Sequence, residues 1–215
     1  MEFASREDAG RQLARPLAQH PAQADLVLGL PRGGVIVAAE VAKLLHRPLD
    51  VLVVRKIGHP RQREFAVGAL AEPGVVLLNQ EVIDATHVNP DELNEIIEEE
   101  KERLRGYRRL FGGDQPPDIT NKTVLLVDDG LATGSTMQAA VRSARERNAR
   151  EVWVAVPVAS DHSYQMLGEQ ADKIFALLVD PYFEAVGRYY RVFEQTTDHE
   201  VLEALEENRG LFQAH

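Results

Sequence analysis

The chain has no cysteine, which removes disulfide staples, thiol nucleophiles and cysteine-ligated metal sites together. It also lacks any long apolar run. Its hydrophobic stretches are strand-sized and the N-terminal MEFASREDAGR has no apolar core, so neither a membrane span nor a secretory signal is expected, and a soluble cytoplasmic protein is. Positive charge is scarce: 24 Lys and Arg face 34 Asp and Glu, a formal net charge of −10, which argues against general affinity for nucleic acid or an anionic membrane. There is no internal repeat, no low-complexity tract and no Gly-x-x-x-x-Gly-Lys-Ser/Thr loop. The 215 residues suffice for one α/β domain with an elaboration.

What is present is organised around Lys122 to Met137, KTVLLVDDGLATGSTM. Thr123 to Val127 is a short continuous apolar run suited to a strand buried on both faces, and Asp128 and Asp129 end it abruptly. Gly130 and then Thr133, Gly134, Ser135 and Thr136 lead into a helical pattern running to Arg147. A glycine turn at a helix start gathers hydroxyls and unpaired backbone N–H groups around one point, which is an anion site. Paired acids beside such a site suit a sugar phosphate, with hydroxyls on the acids and phosphate in the loop. The plainer reading is that two acids end a strand and Gly134 opens a helix.

Around this stretch, strands and helices alternate. Ser5 and Asp8 form a candidate capping box for a first helix to about Gln19. Asp25 to Leu30 reads as a buried strand, Pro31-Arg32-Gly33-Gly34 as a turn, Val35 to Leu45 as a helix, and Asp50 to Val54 as a second strand ending in Arg55-Lys56. The pattern then changes: Gly58 to Glu64 reads as loop, and FAVGALAE and VVLLN as two strand-like pieces around Pro73-Gly74, forming a projecting hairpin. Pro90 opens a long helix to about Arg109, whose Glu98 to Glu102 face reads as solvated rather than metal-binding. Val152 to Val156, ending at Pro157, and Ile174 to Val179 supply further strands around a short helix; Asp198 to Glu207 closes the chain, with a mobile tail from Glu206. This order predicts an α/β fold: an open, doubly wound, mainly parallel sheet with a β-hairpin and long-helix insertion and a small C-terminal hood. Residues 1–215 are expected to form a single domain, with 57–111 as flexible loop and helical elaboration and 180–207 as hood.

The strand, paired acids and Ala132-Thr133-Gly134-Ser135-Thr136 resemble the phosphoribosyl-diphosphate (PRPP) motif of the type I phosphoribosyltransferases, and the form Asp-Asp-x-x-Ala-Thr-Gly is similar to that of adenine-using members. Pro31-Arg32-Gly33-Gly34 resembles the family's first diphosphate loop, where a cis non-proline bond is common, which singles out Pro31–Arg32. Arg55 and Lys56 stand where the family brings a basic residue to the diphosphate, and Gly58 through Ala71 where a flexible catalytic loop closes over PRPP. Arg61 or Arg63 would then supply a cation, and Glu64 a contact to a substrate amine or to an arginine. Pro181 to Gly187 resembles the segment that lays an aromatic ring over the acceptor, implying Phe183, with Tyr182 in reserve; packing in the core is the other reading of Phe183. Tyr189, Tyr190 and Phe193 have a spacing typical of packing.

The resemblance implies transfer of a phosphoribosyl group from PRPP to a nitrogen of a small heterocyclic acceptor, releasing diphosphate. Asp128, Asp129, Arg32 and Lys56 would act catalytically, Gly33, Gly34, Arg55 and Ala132 through Thr136 would bind PRPP, and Mg²⁺ would be held mainly through PRPP and water, without protein ligands. A homodimer is compatible. Two departures bear on the acceptor: Ala132 stands where 6-oxopurine-using relatives have a third acid, and Val158-Ala159-Ser160 offers no lysine for an exocyclic oxygen. A non-catalytic PRPP or nucleotide sensor and a PRPP or sugar-phosphate hydrolase are the competing expectations.

Overall fold

The computed structural model describes residues 2–20 and 23–213. In chain order the elements are α1 (Arg6–Gln19), β1 (Leu26–Gly29), α2 (Gly33–Leu45), β2 (Leu49–Val51), β3 (Val54–His59), β4 (Gln62–Ala71), β5 (Val75–Leu78) and α3 (Gln80–Ala85). There follow α4 (Pro90–Gly112), β6 (Thr123–Val127), α5 (Ser135–Glu146), β7 (Glu151–Ser160), α6 (Asp161–Gly168), β8 (Lys173–Asp180), a short 3-10 turn (Val186–Tyr189) and α7 (Asp198–Gln213).

The core is a five-stranded sheet ordered β2-β1-β6-β7-β8, parallel throughout. Side chains on a strand alternate between faces, so each buried run serves two cores. Val27, Leu125, Val127, Trp153 and Ala155 pack with α1, α2 and α7; Leu26, Leu28, Val124, Leu126, Val152 and Val154 pack with α5 and α6. Continuous apolar strands are therefore required, and the connections deliver the C-terminal strand ends to one edge.

The second sheet, β3-β4-β5, is antiparallel and lies between α4 and α5. Its attachment is polar as well as apolar. Arg108 of α4 is buried and donates to Glu72 Oε1 at 3.3 Å, to the Val51 carbonyl at 3.2 Å and to Asp50 Oδ1 at 2.9 Å. Glu72 Oε1 also accepts the Val53 N–H at 3.1 Å, and Ser143 Oγ of α5 donates to the Glu72 carbonyl. Burial raises the Glu72 carboxyl above its ordinary range, and the Arg108 charge opposes that rise.

Several boundaries differ from the sequence reading. The Asp50 to Val54 run is not one strand: β2 ends at Val51, and Val54 begins β3, so Arg55 and Lys56 lie inside an antiparallel strand instead of at a parallel strand's end. Both pieces are buried, and hydrophobicity carries no mark of the change of partner from Gly29 to Ala71. Most of Gly58 to Ala71 is a ladder and not a loop, because backbone pairing of β3 with β4 holds the charged tip at Pro60-Arg61. β7 runs past Pro157 to Ser160, since Leu131 rejoins the sheet against Ala159 beyond the end of β6. Glu100 is not solvated but buried. The expected mobile tail from Glu206 is helical to Gln213, tied by Asn208 Oδ1, which accepts the Leu49 N–H at 2.8 Å; His215 and its neighbour Ala214 lie outside the described residues.

Candidate active site

At the C-terminal edge of β6 lies a cavity of about 810 Å³, lined on one side by Asp128, Gly130 to Gly134, Thr136 and Met137, and opposite by Arg55, Lys56, Gly58, Arg63, Glu64, Glu99, Glu100 and Arg103. Pro31 borders it, and so does Val186 of the segment after β8. The central loop and Lys56 thus meet at one crevice, where parallel strands end, and the first glycine turn reaches it only through Pro31; Arg32, Gly33, Gly34, Asp129 and Ser135 do not line it.

Two helix N-termini face this region, and they share a property. The starts of α1, α3, α4 and α6 are capped by the side chains of Ser5, Asn79, Asn89 and Ser160, and Thr197 Oγ1 accepts from the Glu200 N–H at the start of α7. At α2 and α5 the preceding residues, Arg32 and Gly134, provide no side-chain cap. Their first N–H groups are left for another acceptor. Gly134 has φ 76°, the left-handed region that glycine tolerates best. The Pro31–Arg32 peptide is cis.

The acids lie between these two helix starts. The Asp129 N–H donates to Asp128 Oδ1 at 2.8 Å. Burial first, and then the Asp129 charge, raise the Asp128 carboxyl well above its ordinary range, while Arg6 and Lys56 pull it down. Asp129 is raised by burial and lowered by Arg6, whose Nε lies 2.7 Å from Asp129 Oδ2. The glycines of the first turn touch the acids themselves: a Cβ on Gly34 would lie against Asp128, and one on Gly33 would collide with the Asp129 carboxylate and sit 2.6 Å from Arg6 Nε. Their smallness allows α2 to approach the acids, a contact that the sequence reading, concerned with an anion, did not foresee.

The basic residues divide by their partners. Arg55 pairs with Glu100 at 2.8 Å and lies 5.3 Å over the Tyr107 ring, so it braces α4 against β3. Lys56 is exposed and forms no ion pair among the described residues, which leaves its ammonium available to a ligand. Arg63 and Glu64 line the cavity and Arg61 does not; Arg63 pairs with Glu99 at 3.0 Å across two half-exposed side chains. Such a pair is worth about 0–1 kcal/mol and yields readily to a competing anion. Arg32 lies 3.6 Å from Asp198 and, with Arg55, lines an adjoining cavity of about 250 Å³.

Phe183 and Tyr182 are not brought to the cavity wall. Phe183 stacks on Tyr189 with centroids 5.3 Å apart, and Tyr182 is 87% exposed. Val186 lines that end instead, and the Ala132 carbonyl accepts from Ser160 Oγ at 2.8 Å and Ser163 Oγ at 2.6 Å. The sequence reading missed Arg6, Tyr190, Val186 and Arg103. Arg6 carried a signal: a cation at the first position of a helix opposes the macrodipole and needs a partner elsewhere.

Among the described residues, no group of three or more acidic or histidine side chains is disposed to hold a metal ion. Asp128 and Glu64 place hard oxygen donors on the cavity wall, a set compatible with Mg²⁺ carried chiefly by phosphate oxygens and water. No helix among the described residues is long and apolar enough to cross a membrane.

A sequence-family model described as phosphoribosyl transferase domain matches residues 4–190. The chain is 46% identical over 208 residues to a candidate phosphoribosyl transferase of Mycobacterium tuberculosis, covering 95% of this chain and 46% of the relative. It thus spans about half the length of the curated relatives it matches. The crystal structure of TT1426 from Thermus thermophilus superposes with a TM-score of 0.78 at 40% identity, covering 96% of this chain and 99% of that one. AQ2163 from Aquifex aeolicus shares the fold, with a TM-score of 0.52 at 11% identity over 93% and 84% of the two chains.

Proposed function

The chain belongs to the type I, PRPP-binding phosphoribosyltransferase family, and on that premise we propose that it transfers the phosphoribosyl group of PRPP to a nitrogen of a small heterocyclic acceptor, with release of diphosphate. The observation that carries this reading is the pair of helix starts without side-chain caps, α2 and α5, on either side of the aspartate pair. PRPP has the matching order of groups: a phosphate, a ribose diol and a diphosphate.

In this reading the N–H groups and hydroxyls of Ala132 through Thr136 hold the 5′-phosphate. Asp128, on the cavity wall, accepts hydrogen bonds from the ribose hydroxyls, and the charges of Asp128 and Asp129 together offset the positive charge that develops at the ribosyl carbon as the glycosidic bond breaks. Arg32, the Gly33 and Gly34 amides and Lys56 stabilise the departing diphosphate, with Arg55 bracing the strand that carries Lys56. Bound Mg²⁺ supplies further neutralisation of the diphosphate. Arg63, freed from Glu99, would cover the leaving group and exclude water. Phe183 or Tyr182 would reach the acceptor after movement of the segment following β8, whereas Val186 already forms that wall. With Ala132 in place of an acid and no cation at Val158 to Ser160, the acceptor end suits a base without an exocyclic oxygen to be read, as in the adenine-using members. A single domain acting in the cytoplasm, without nucleic acid, accords with the composition.

Incubation with Mg-PRPP and a pooled library of purines, pyrimidines and small amines, read by mass spectrometry, tests the proposal. An N-riboside together with diphosphate is expected. Ribose 5-phosphate alone would replace transfer with hydrolysis, and binding without turnover would replace it with sensing.

A further inference from the structure

Arg6 stands at the first helical position of α1, followed by Glu7 and Asp8, where the helix dipole disfavours a cation. Its side chain nevertheless turns inward and is only 12% exposed. Nε is 2.7 Å from Asp129 Oδ2, Nη1 donates to the Glu194 carbonyl at 2.8 Å, and the guanidinium lies 3.9 Å from the Phe193 ring centroid. Asp129 is held from a second direction by Tyr190, whose hydroxyl donates to its carbonyl at 2.7 Å and whose ionisation is pushed up by burial. Tyr190 is itself fastened to the start of the chain: Phe3 N–H donates to the Tyr189 carbonyl and Arg191 N–H to the Phe3 carbonyl, each at 2.8 Å. The start of the described chain and the segment before α7 thus converge on one aspartate, Arg6 on its carboxylate and Tyr190 on its carbonyl, beside a glycine whose missing Cβ leaves room for the ion pair.

We propose that Arg6 is a positioning residue for the phosphoribosyl site: it fixes the Asp129 carboxylate away from its neighbour and leaves Asp128 as the acid that faces the cavity. This rests on reading the cavity as a PRPP site. Arg6 does not line that cavity, whereas Asp128 does; it borders an adjoining hollow with Arg32 and Gly33, and its contact with the aspartate pair runs through Asp129. A largely desolvated ion pair is a poor stabiliser when well-packed apolar side chains could occupy the same volume, so stability alone does not account for a guanidinium here. Two adjacent part-buried carboxylates, by contrast, repel each other, and a cation bonded to one of them through Nε settles how the pair is oriented.

The test is isothermal calorimetry with Mg-PRPP on the parent, Arg6→Lys, Arg6→Gln, Arg6→Ala, Asp129→Asn and the Arg6→Ala/Asp129→Asn double variant, with thermal unfolding alongside. Binding by the parent is the control on the site itself; no binding there overturns the PRPP reading and this inference with it. Given parental binding, Arg6→Ala should weaken affinity about tenfold or more, and Arg6→Lys should restore most of it. The double variant should bind no more weakly than the weaker single variant, as non-additivity requires of residues that act together. A folded Arg6→Ala protein with parental affinity, or fully multiplicative losses in the double variant, overturns the inference while leaving the PRPP site standing. Should Arg6→Ala not fold, Arg6→Gln, which keeps a donor but loses the charge, is judged by the same criteria.

Discussion

Gly34 lies against Asp128 so closely that a Cβ there would stand 2.8 Å from the aspartate's Cα, 2.8 Å from its Oδ1 and 2.8 Å from the Val127 carbonyl oxygen. Two of those atoms are backbone and cannot swing away. Gly34→Ala must therefore push α2 from the end of β6, and we expect both a lowered melting temperature and loss of PRPP binding. Gly33→Ala meets only side-chain ends, those of Asp129 and Arg6, so its melting temperature should fall less while PRPP affinity still drops. Differential scanning calorimetry and titration of both variants measure the contrast; equal melting temperatures for the two would contradict it.

The raised Asp128 pKa has a sign. Relative to an ordinary value of 3.8, the folded protein binds this proton more tightly, so the contribution to stability is complete below that value and is lost as pH rises through the folded pKa. Asp128→Asn has no charge to bury. Its melting temperature relative to the parent should therefore climb as pH rises from the ordinary value of 3.8 through the raised folded pKa. A difference that stays flat over that range would show that Lys56 and Arg6 fully offset the burial.

The same variants test the chemistry. Asp128→Asn and Asp129→Asn retain shape but remove negative charge from the place where, in the proposed reaction, the ribosyl carbon would become positive. If the acids act more strongly in the transition state than in the ground state, kcat falls more than PRPP affinity; a tenfold differential corresponds to about 1.4 kcal/mol. Single-turnover rates and dissociation constants for each variant decide this, and equal losses in both would reduce the acids to ribose positioning.

Gly134→Val should weaken Mg-PRPP binding more than it weakens the fold. An L residue in the left-handed conformation costs about 1–2 kcal/mol, and the new side chain meets the Met166 methyl, a flexible end 2.7 Å from the Cβ position. The strain and the contact with α6 would shift the loop whose N–H groups, in the proposed reading, hold the phosphate. Unchanged affinity in a folded variant would remove the phosphate from this loop.

Glu72→Ala leaves buried Arg108 with only one of its two carboxylate partners and should cost about 3–5 kcal/mol of stability in urea unfolding. A Glu72→Leu/Arg108→Met double variant should recover much of that loss, because apolar side chains of similar volume need no partner. If the double variant is no more stable than the single, Asp50 and Ser143 carry the attachment instead.

What the sequence determined by itself was local. Apolar runs of strand length, the Ser5 cap, the Thr123 to Thr136 motif and the Pro31 to Gly34 turn depend on contacts within a few residues, and they sufficed for the parallel sheet and for placing Asp128 and the Gly130 to Gly134 loop at its C-terminal edge. The tertiary structure decided everything that depends on which distant group a side chain meets. Lys56 is available and Arg55 is taken because Glu100 of α4 reaches only the latter. The charged stretch after Ile57 is a hairpin because its order lies in backbone pairing, which side-chain polarity does not register. Arg6 meets Asp129, 123 residues away, because the start of the described chain folds back onto the end of β6, and a partner at that separation leaves no periodicity in the sequence.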